Sequence, residues 1–281
     1  MHEIDVRARL SQDLPIIVLW VCAPFLVIVA FNGIQEWGFG WDAHAYWSAA
    51  RDPDIYSVAP GQLDAFSYSP AFVQLIRPLA ALPFPAFAAI WCVAAAVTLA
   101  LLLRPLGFVR GGPLFLWCSW EIVSGNIHWL FAVVAAFGLR HPALWAIPAL
   151  TKITPAVGAV WFIVRREWRQ VAVSASVTMA VVGLSFAAEP QAWRDWISFL
   201  ISNREATTGA TGLVAQVPPV VRASLAALLV TWGASPSGGG RLRQQRRWQC
   251  PSGGAAALVV LVALPRLNRD SRPVRTAKDG G

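Results

Sequence analysis

Residues 84–103 read FPAFAAIWCVAAAVTLALLL, twenty consecutive positions without a charged side chain. At about 1.5 Å of rise per residue an α-helix of this length is roughly 30 Å long, the thickness of a bilayer's hydrocarbon core. Lipid offers no hydrogen-bond partners, so a spanning segment must satisfy its own backbone groups, and within a single segment only a helix does so. Arg104 closes the run and Arg110 follows. Basic flanks remain on the cytoplasmic side, so this segment is read as a membrane helix that ends inside the cell. It sets the expected fold class, an all-α, polytopic transmembrane helix bundle.

Upstream, Leu14 to Phe31 is a second uncharged run, of eighteen residues, preceded by Arg7 and Arg9 and lacking a small-residue cleavage site at its end. It is read as a first span and not as a removable signal. Residues 32–83 between the two runs then form an outer loop. Downstream, Arg165, Arg166 and Arg169 mark the cytoplasm again, so Pro113 to Val164 crosses an even number of times. Two long spans or four short broken ones both satisfy that. Val171 to Ala188 exits, Leu213 to Trp232 returns, and the block RLRQQRR at 241–247 is the third basic marker. One orientation accounts for every block.

Two further stretches read as helices lying on the outer surface. In Glu189 to Asn203, Trp193, Trp196, Phe199 and Leu200 recur at helical spacing while Arg194, Asp195 and Asn203 take the other positions. In Phe66 to Leu82, Pro70, Arg77 and Pro78 spoil a lipid-facing span. Both elements are expected to flank one extracytoplasmic cavity.

Composition agrees with a membrane protein. The 281 residues are 56% hydrophobic and 14% charged, with mean hydropathy +0.52, and the fifteen Trp suit interfacial belts. The net charge of +8 sits in short clusters between apolar stretches, so no basic face large enough for nucleic acid is expected. Cys22, Cys92 and Cys118 lie within apolar runs and Cys250 among basic residues, with neither metal-ligand nor disulfide spacing. The chain divides into a membrane-embedded domain, 1–232, and a polar, basic tail, 233–281. Two readings of the tail stay open, a disordered extension and a slipped reading frame.

Chemistry-bearing residues concentrate at the outer side. Asp42 and His44 stand two apart in Trp41-Asp42-Ala43-His44-Ala45-Tyr46-Trp47. A carboxylate among aromatics at the membrane surface is partly desolvated, which raises its basicity and suits it to take a proton from an alcohol. His44 can orient it or contact a phosphate. The competing reading makes Asp42 the cap of a helix beginning at Ala43. Asp52 and Asp54 around Pro53 read either as a solvated turn or as a site for a divalent cation. Glu121, Asn126 and His128 interrupt an apolar region, where polar groups face a cavity or one another; the alternative is a helix break whose freed backbone groups Asn126 and His128 satisfy. Lys152, central in an apolar run, needs an anion, either Glu121 or a ligand phosphate.

In this order these residues resemble the bacterial membrane glycosyltransferases of family 87, which use polyprenol-phosphate-mannose and have the GT-C fold. The matching pieces are WDAHAYWSA (41–49), IYS (55–57), FSYSPAFVQLIRPLAALPFPAFAAIW (66–91), SGNIHWLF (124–131) and LTKITPAVGAVWFIVRREWR (150–169). The resemblance implies a mannosyltransferase of the plasma membrane and cell envelope. Its site faces outward, its donor is a lipid-linked sugar and its acceptor a glycan or glycolipid hydroxyl. The essential outer-loop acid corresponds to Asp42, as general base of an inverting transfer. His44, Tyr46, Arg77, Asn126, His128 and Lys152 are the candidate substrate-binding side chains, with Lys152 or Arg77 stabilising the departing phosphate; no resident cofactor is implied, and a divalent cation stays open. A transporter or flippase for a lipid-linked or small solute, with Lys152, Glu121 and His128 as its translocation site, is the alternative. A non-catalytic membrane scaffold is the third reading.

Overall fold

A computed structural model describes residues 2–151 and 159–203, with side chains from residue 14 onward. The expectations for Lys152, for the span Leu213 to Trp232 and for the tail 233–281 lie outside the described residues. Among the described residues every regular element is a helix.

The first helix, α1, runs His2–Trp37, six residues past the uncharged stretch. After the turn at Gly38 the short α2, Trp41–Ala49, begins. A linker of turns leads to α3, Pro70–Ala80, and then to α4, Phe84–Leu103, whose bounds are those of the uncharged run. Proline in the first turn of α3 and of α4 costs no hydrogen bond, because the first amides of a helix have no internal partner.

Helix α4 is the centre of the bundle: 44% of its span is buried, against 11% for α1. Phe87, Trp91, Ala95, Leu99 and Leu103 face neighbouring helices, while α1 turns Val21, Phe25, Ile28 and Phe31 outward. A helix apolar all round and exposed in the protein has lipid as its solvent. Below Leu103 the chain reverses through a 3₁₀ turn, Arg104–Leu106, into α5, Gly107–Trp117, and α6, Ser119–Ser124. These pack along α1: Trp117 Nε1 donates to the Leu19 carbonyl at 3.0 Å, and the rings of Trp120, Trp37 and Trp41 meet edge to face. The return pass therefore starts at Gly107 and not at Pro113.

The next elements are short. Helix α7, His128–Phe137, and the stretch from the 3₁₀ turn Pro142–Trp145 into α8, Ala146–Thr151, are legs of ten residues each. Each is about 15 Å long, half a hydrocarbon core. Helix α7 packs Ala132 and Ala136 against Leu99, Leu102 and Leu103 of α4, and Leu150 of α8 comes back to Ser69, whose N–H and Oγ–H both donate to its carbonyl. Of the two arrangements left open by the sequence, this part of the chain takes the short, broken one. Beyond residue 158 follow α9, Val160–Val164, and α10, Trp168–Ala188, whose apolar stretch is only 6% buried.

Helix α11, Pro190–Ser202, is amphipathic as expected, burying Trp193 and Phe199 and exposing Ile197 and Ile201. It folds against α3 and the end of α10: Trp196 Nε1 donates to the Ser67 carbonyl, Trp193 Nε1 to Ser185 Oγ, and Arg77 of α3 holds Glu189 through both carboxylate oxygens. Helices α2, α3 and α11 thus gather at one end of the bundle.

Arg77 draws the Glu189 carboxyl below its usual range. A group with a lowered folded-state pKa contributes stability above its unfolded value, about 4.3 for Glu, and loses that contribution as pH falls through the folded value. Both partners are partly exposed, 44% and 34%, so the contribution is at most about 1 kcal/mol. Glu189→Gln is therefore expected to lower the heat-denaturation midpoint of the detergent-solubilised protein slightly at neutral pH and not at pH values below the folded pKa. Equal differences at both would contradict the assignment.

Candidate functional site

The chain enters α2 through Gly38 and Gly40, both with positive φ (84° and 74°). At Gly40 a side chain would also lie 3.1 Å from the Ala88 Cβ, so only glycine brings this turn against α4. Gly40 N–H donates to the Val123 carbonyl, tying the start of α2 to the end of α6. Gly40, and not Asp42, is the N-cap, and the helix begins at Trp41. Asp42 sits within the first turn, where the helix end favours negative charge. Its Oδ2 accepts a hydrogen bond from Asn126 Nδ2 at 2.7 Å.

Asn126 is placed by the turn between α6 and α7. Gly125 has φ 71°, a Cβ there would stand 2.6 Å from that of Ala43, and its carbonyl accepts from Trp91 Nε1 at 2.8 Å. The sequence Ser124-Gly125-Asn126 therefore lets α6 and α7 approach the backbone of α2. His128, at the head of α7, pairs through Nδ1 with Glu121 Oε2 at 2.7 Å, and both side chains are largely buried. Glu121 is thus engaged by His128. Asn126 and His128 each bind a carboxylate, so neither serves merely to cap freed backbone.

Tyr46, one turn beyond Asp42, faces the same side of α2. It is buried among Phe66, Phe72 and Trp91, with its hydroxyl 3.5 Å from that of Tyr68. Burial first, then Tyr68 and Asp42, push its pKa well above the ordinary tyrosine value, so Tyr46 stays protonated. His44 lies elsewhere. Two residues along a helix is a rotation of about 200°, and His44 points away from Asp42 to pair with Asp64 at 2.7 Å. The expectation that His44 orients Asp42 is corrected by this helix phase. It lines instead a cavity of about 270 Å³ with Trp37, Phe39, Trp41, Leu63 and Phe84.

Arg77 is likewise away from Asp42. With Glu189 it lines a cavity of about 340 Å³ between the linker from α2 to α3 and α11, shared with Asp52, Asp54, Tyr56 and Asp195. This is the cavity flanked by α3 and α11, and Asp42 is not in its wall. Asp52 Oδ1 accepts from the Asp54 amide at 2.8 Å, a local turn. Among the described residues no group of three or more His, Cys, Asp or Glu is placed to hold a metal ion. The partners the sequence reading missed are Asp64 and Glu189. Asp64 lies 20 residues from His44 and Glu189 lies 112 from Arg77, and no local pattern links such residues.

A bundle of exposed apolar helices, three of them long and apolar enough to cross a bilayer, is that of a membrane-embedded protein, and a carboxylate-centred polar cluster lies at one end of it. The family model of glycosyltransferase family 87 matches residues 66–278, and the chain belongs to that family. It is thus a membrane glycosyltransferase by family. Asn126, His128, Arg77 and Lys152 fall inside the matched stretch, whereas Asp42, His44 and Tyr46 precede it. No curated protein and no solved structure gives a match.

Proposed function

We propose that the protein transfers a sugar, mannose, from a polyprenyl-phosphate donor to a hydroxyl of an extracytoplasmic glycan or glycolipid, inverting the anomeric carbon, within a GT-C-type fold in the plasma membrane. The observation that carries the reading is the Asp42 carboxylate, set at the head of α2 and held by Asn126. The acceptor oxygen attacks the anomeric carbon and its proton passes to Asp42. The bond from that carbon to the phosphate oxygen breaks, and polyprenyl phosphate departs. A lipid leaving group accounts for placing the site at a membrane surface. Of the two cations named for the phosphate, Arg77 is bound to Glu189, so Lys152 is the residue proposed for that role. The Glu121–His128 pair weakens the transport reading, since two of its polar groups satisfy each other.

Right-side-out membrane vesicles carrying the protein and labelled polyprenyl-phosphate mannose are expected to mannosylate a soluble, impermeant dimannoside. Transfer from a nucleotide sugar alone, or only after permeabilisation, would overturn the donor or the orientation respectively.

A further inference from the structure

Asn126 has two ends, and the transfer scheme uses only the one that holds Asp42. Its amide N–H donates to Asp42 Oδ2 at 2.7 Å, while its Oδ1 is buried and has no hydrogen-bond partner. The reverse orientation of the amide would set two acceptor oxygens against each other, so the carboxylate itself decides which end faces it. A buried carbonyl oxygen without a partner is costly and rare in folded proteins. The group that satisfies it must bring a hydrogen. A phosphate diester has none to give, and beside a carboxylate it would also be repelled. A sugar hydroxyl has one.

We infer that Asn126 is the positioning residue of this site: its N–H fixes the rotation of the Asp42 carboxylate, and its Oδ1 accepts a hydrogen bond from a hydroxyl of the sugar being joined. The inference rests on Asp42 being the base. It assigns the unpaired Asn126 Oδ1 to a neutral, hydroxyl-bearing substrate and places the donor phosphate elsewhere. Gly125 and the Trp91 bond to its carbonyl hold the turn in place, so the amide is presented by a rigid backbone. Such preorganisation is what a group aligning a base requires.

Asn126→Asp keeps the shape and an acceptor oxygen but replaces the N–H with a second carboxyl, so one proton is shared between the two acids. With polyprenyl-phosphate mannose and the dimannoside, the acid limb of its rate profile is expected to move up by about one pH unit or more, with activity recovering at alkaline pH. A purely structural role would not move that limb. Asn126→Ala is expected to lower kcat by about tenfold or more and to raise one KM; a rise for the dimannoside assigns the hydroxyl to the acceptor, a rise for the lipid donor assigns it to the transferred sugar. Without substrate, the infrared band of the protonated Asp42 carboxyl, identified by its loss in Asp42→Asn, is expected at higher pH in Asn126→Leu. An unmoved band in that variant, or an unmoved limb in Asn126→Asp while Asp42→Asn is inactive, overturns the inference alone. Full activity of Asp42→Asn overturns the base reading, and this inference with it.

Discussion

Asp42→Asn should cut sugar transfer by about 10²-fold or more while leaving the protein folded and able to bind the lipid donor. The substitution preserves size and most hydrogen bonding but removes the oxygen that takes the acceptor's proton. The N-cap is Gly40, so the start of α2 does not depend on an Asp42 cap. The amide of Asn126 can rotate to donate from or accept at the new side chain, so the contact between α2 and the α6–α7 turn survives. The measurement is turnover with labelled polyprenyl-phosphate mannose beside a donor-binding measurement on the same preparation. Unchanged turnover would move the base elsewhere, with Asp52 and Asp54 next in line. The structure makes those two poor substitutes, because Asp52 is spent on the Asp54 amide in a turn that lines the Arg77 cavity.

Gly125→Ala is expected to produce the largest loss of stability and a loss of activity with it. An L-residue at φ 71° costs about 1–2 kcal/mol, and the new Cβ would stand 2.6 Å from that of Ala43, a fully buried residue of α2. The backbones must separate, and Trp91 must weaken its bond to the Gly125 carbonyl. Together these are expected to total about 2–4 kcal/mol, in the range where strain at a special backbone position falls. A shift of about 1 Å between α2 and the turn also parts Asn126 from Asp42, and misplacement on that scale can cost about 10²-fold in rate. Pairing it with Ala43→Gly separates the two contributions. The double variant should recover the steric part, in heat-denaturation midpoint and in turnover, and not the part due to φ. A Gly125→Ala protein as stable and active as its parent would show that the close approach of α2 and this turn is unimportant.

The sequence alone determined what depends on neighbours along the chain. Helix α4 has the bounds of an uncharged run because the bilayer imposes a length and a composition on any segment crossing it. Helix α11 has its apolar and polar faces because a helix at a boundary must match period 3.6 to two solvents, and the glycines of Gly38-Phe39-Gly40 and Ser124-Gly125-Asn126 mark turns for a local reason, a backbone only they adopt easily. The tertiary structure decided which polar groups meet. Asn126 reaches Asp42 across 84 residues and Arg77 reaches Glu189 across 112. Nothing in residue spacing encodes such pairs, since they follow from how helices dock. His44 shows the point within one helix: two residues from Asp42 in sequence, it faces the other side of α2 because each residue turns the helix by about 100°, and so it finds Asp64 instead. The short legs α7 and α8 belong to the same category. Their composition suits a span, and only their packing against α4 and Ser69 shows that each covers half of one.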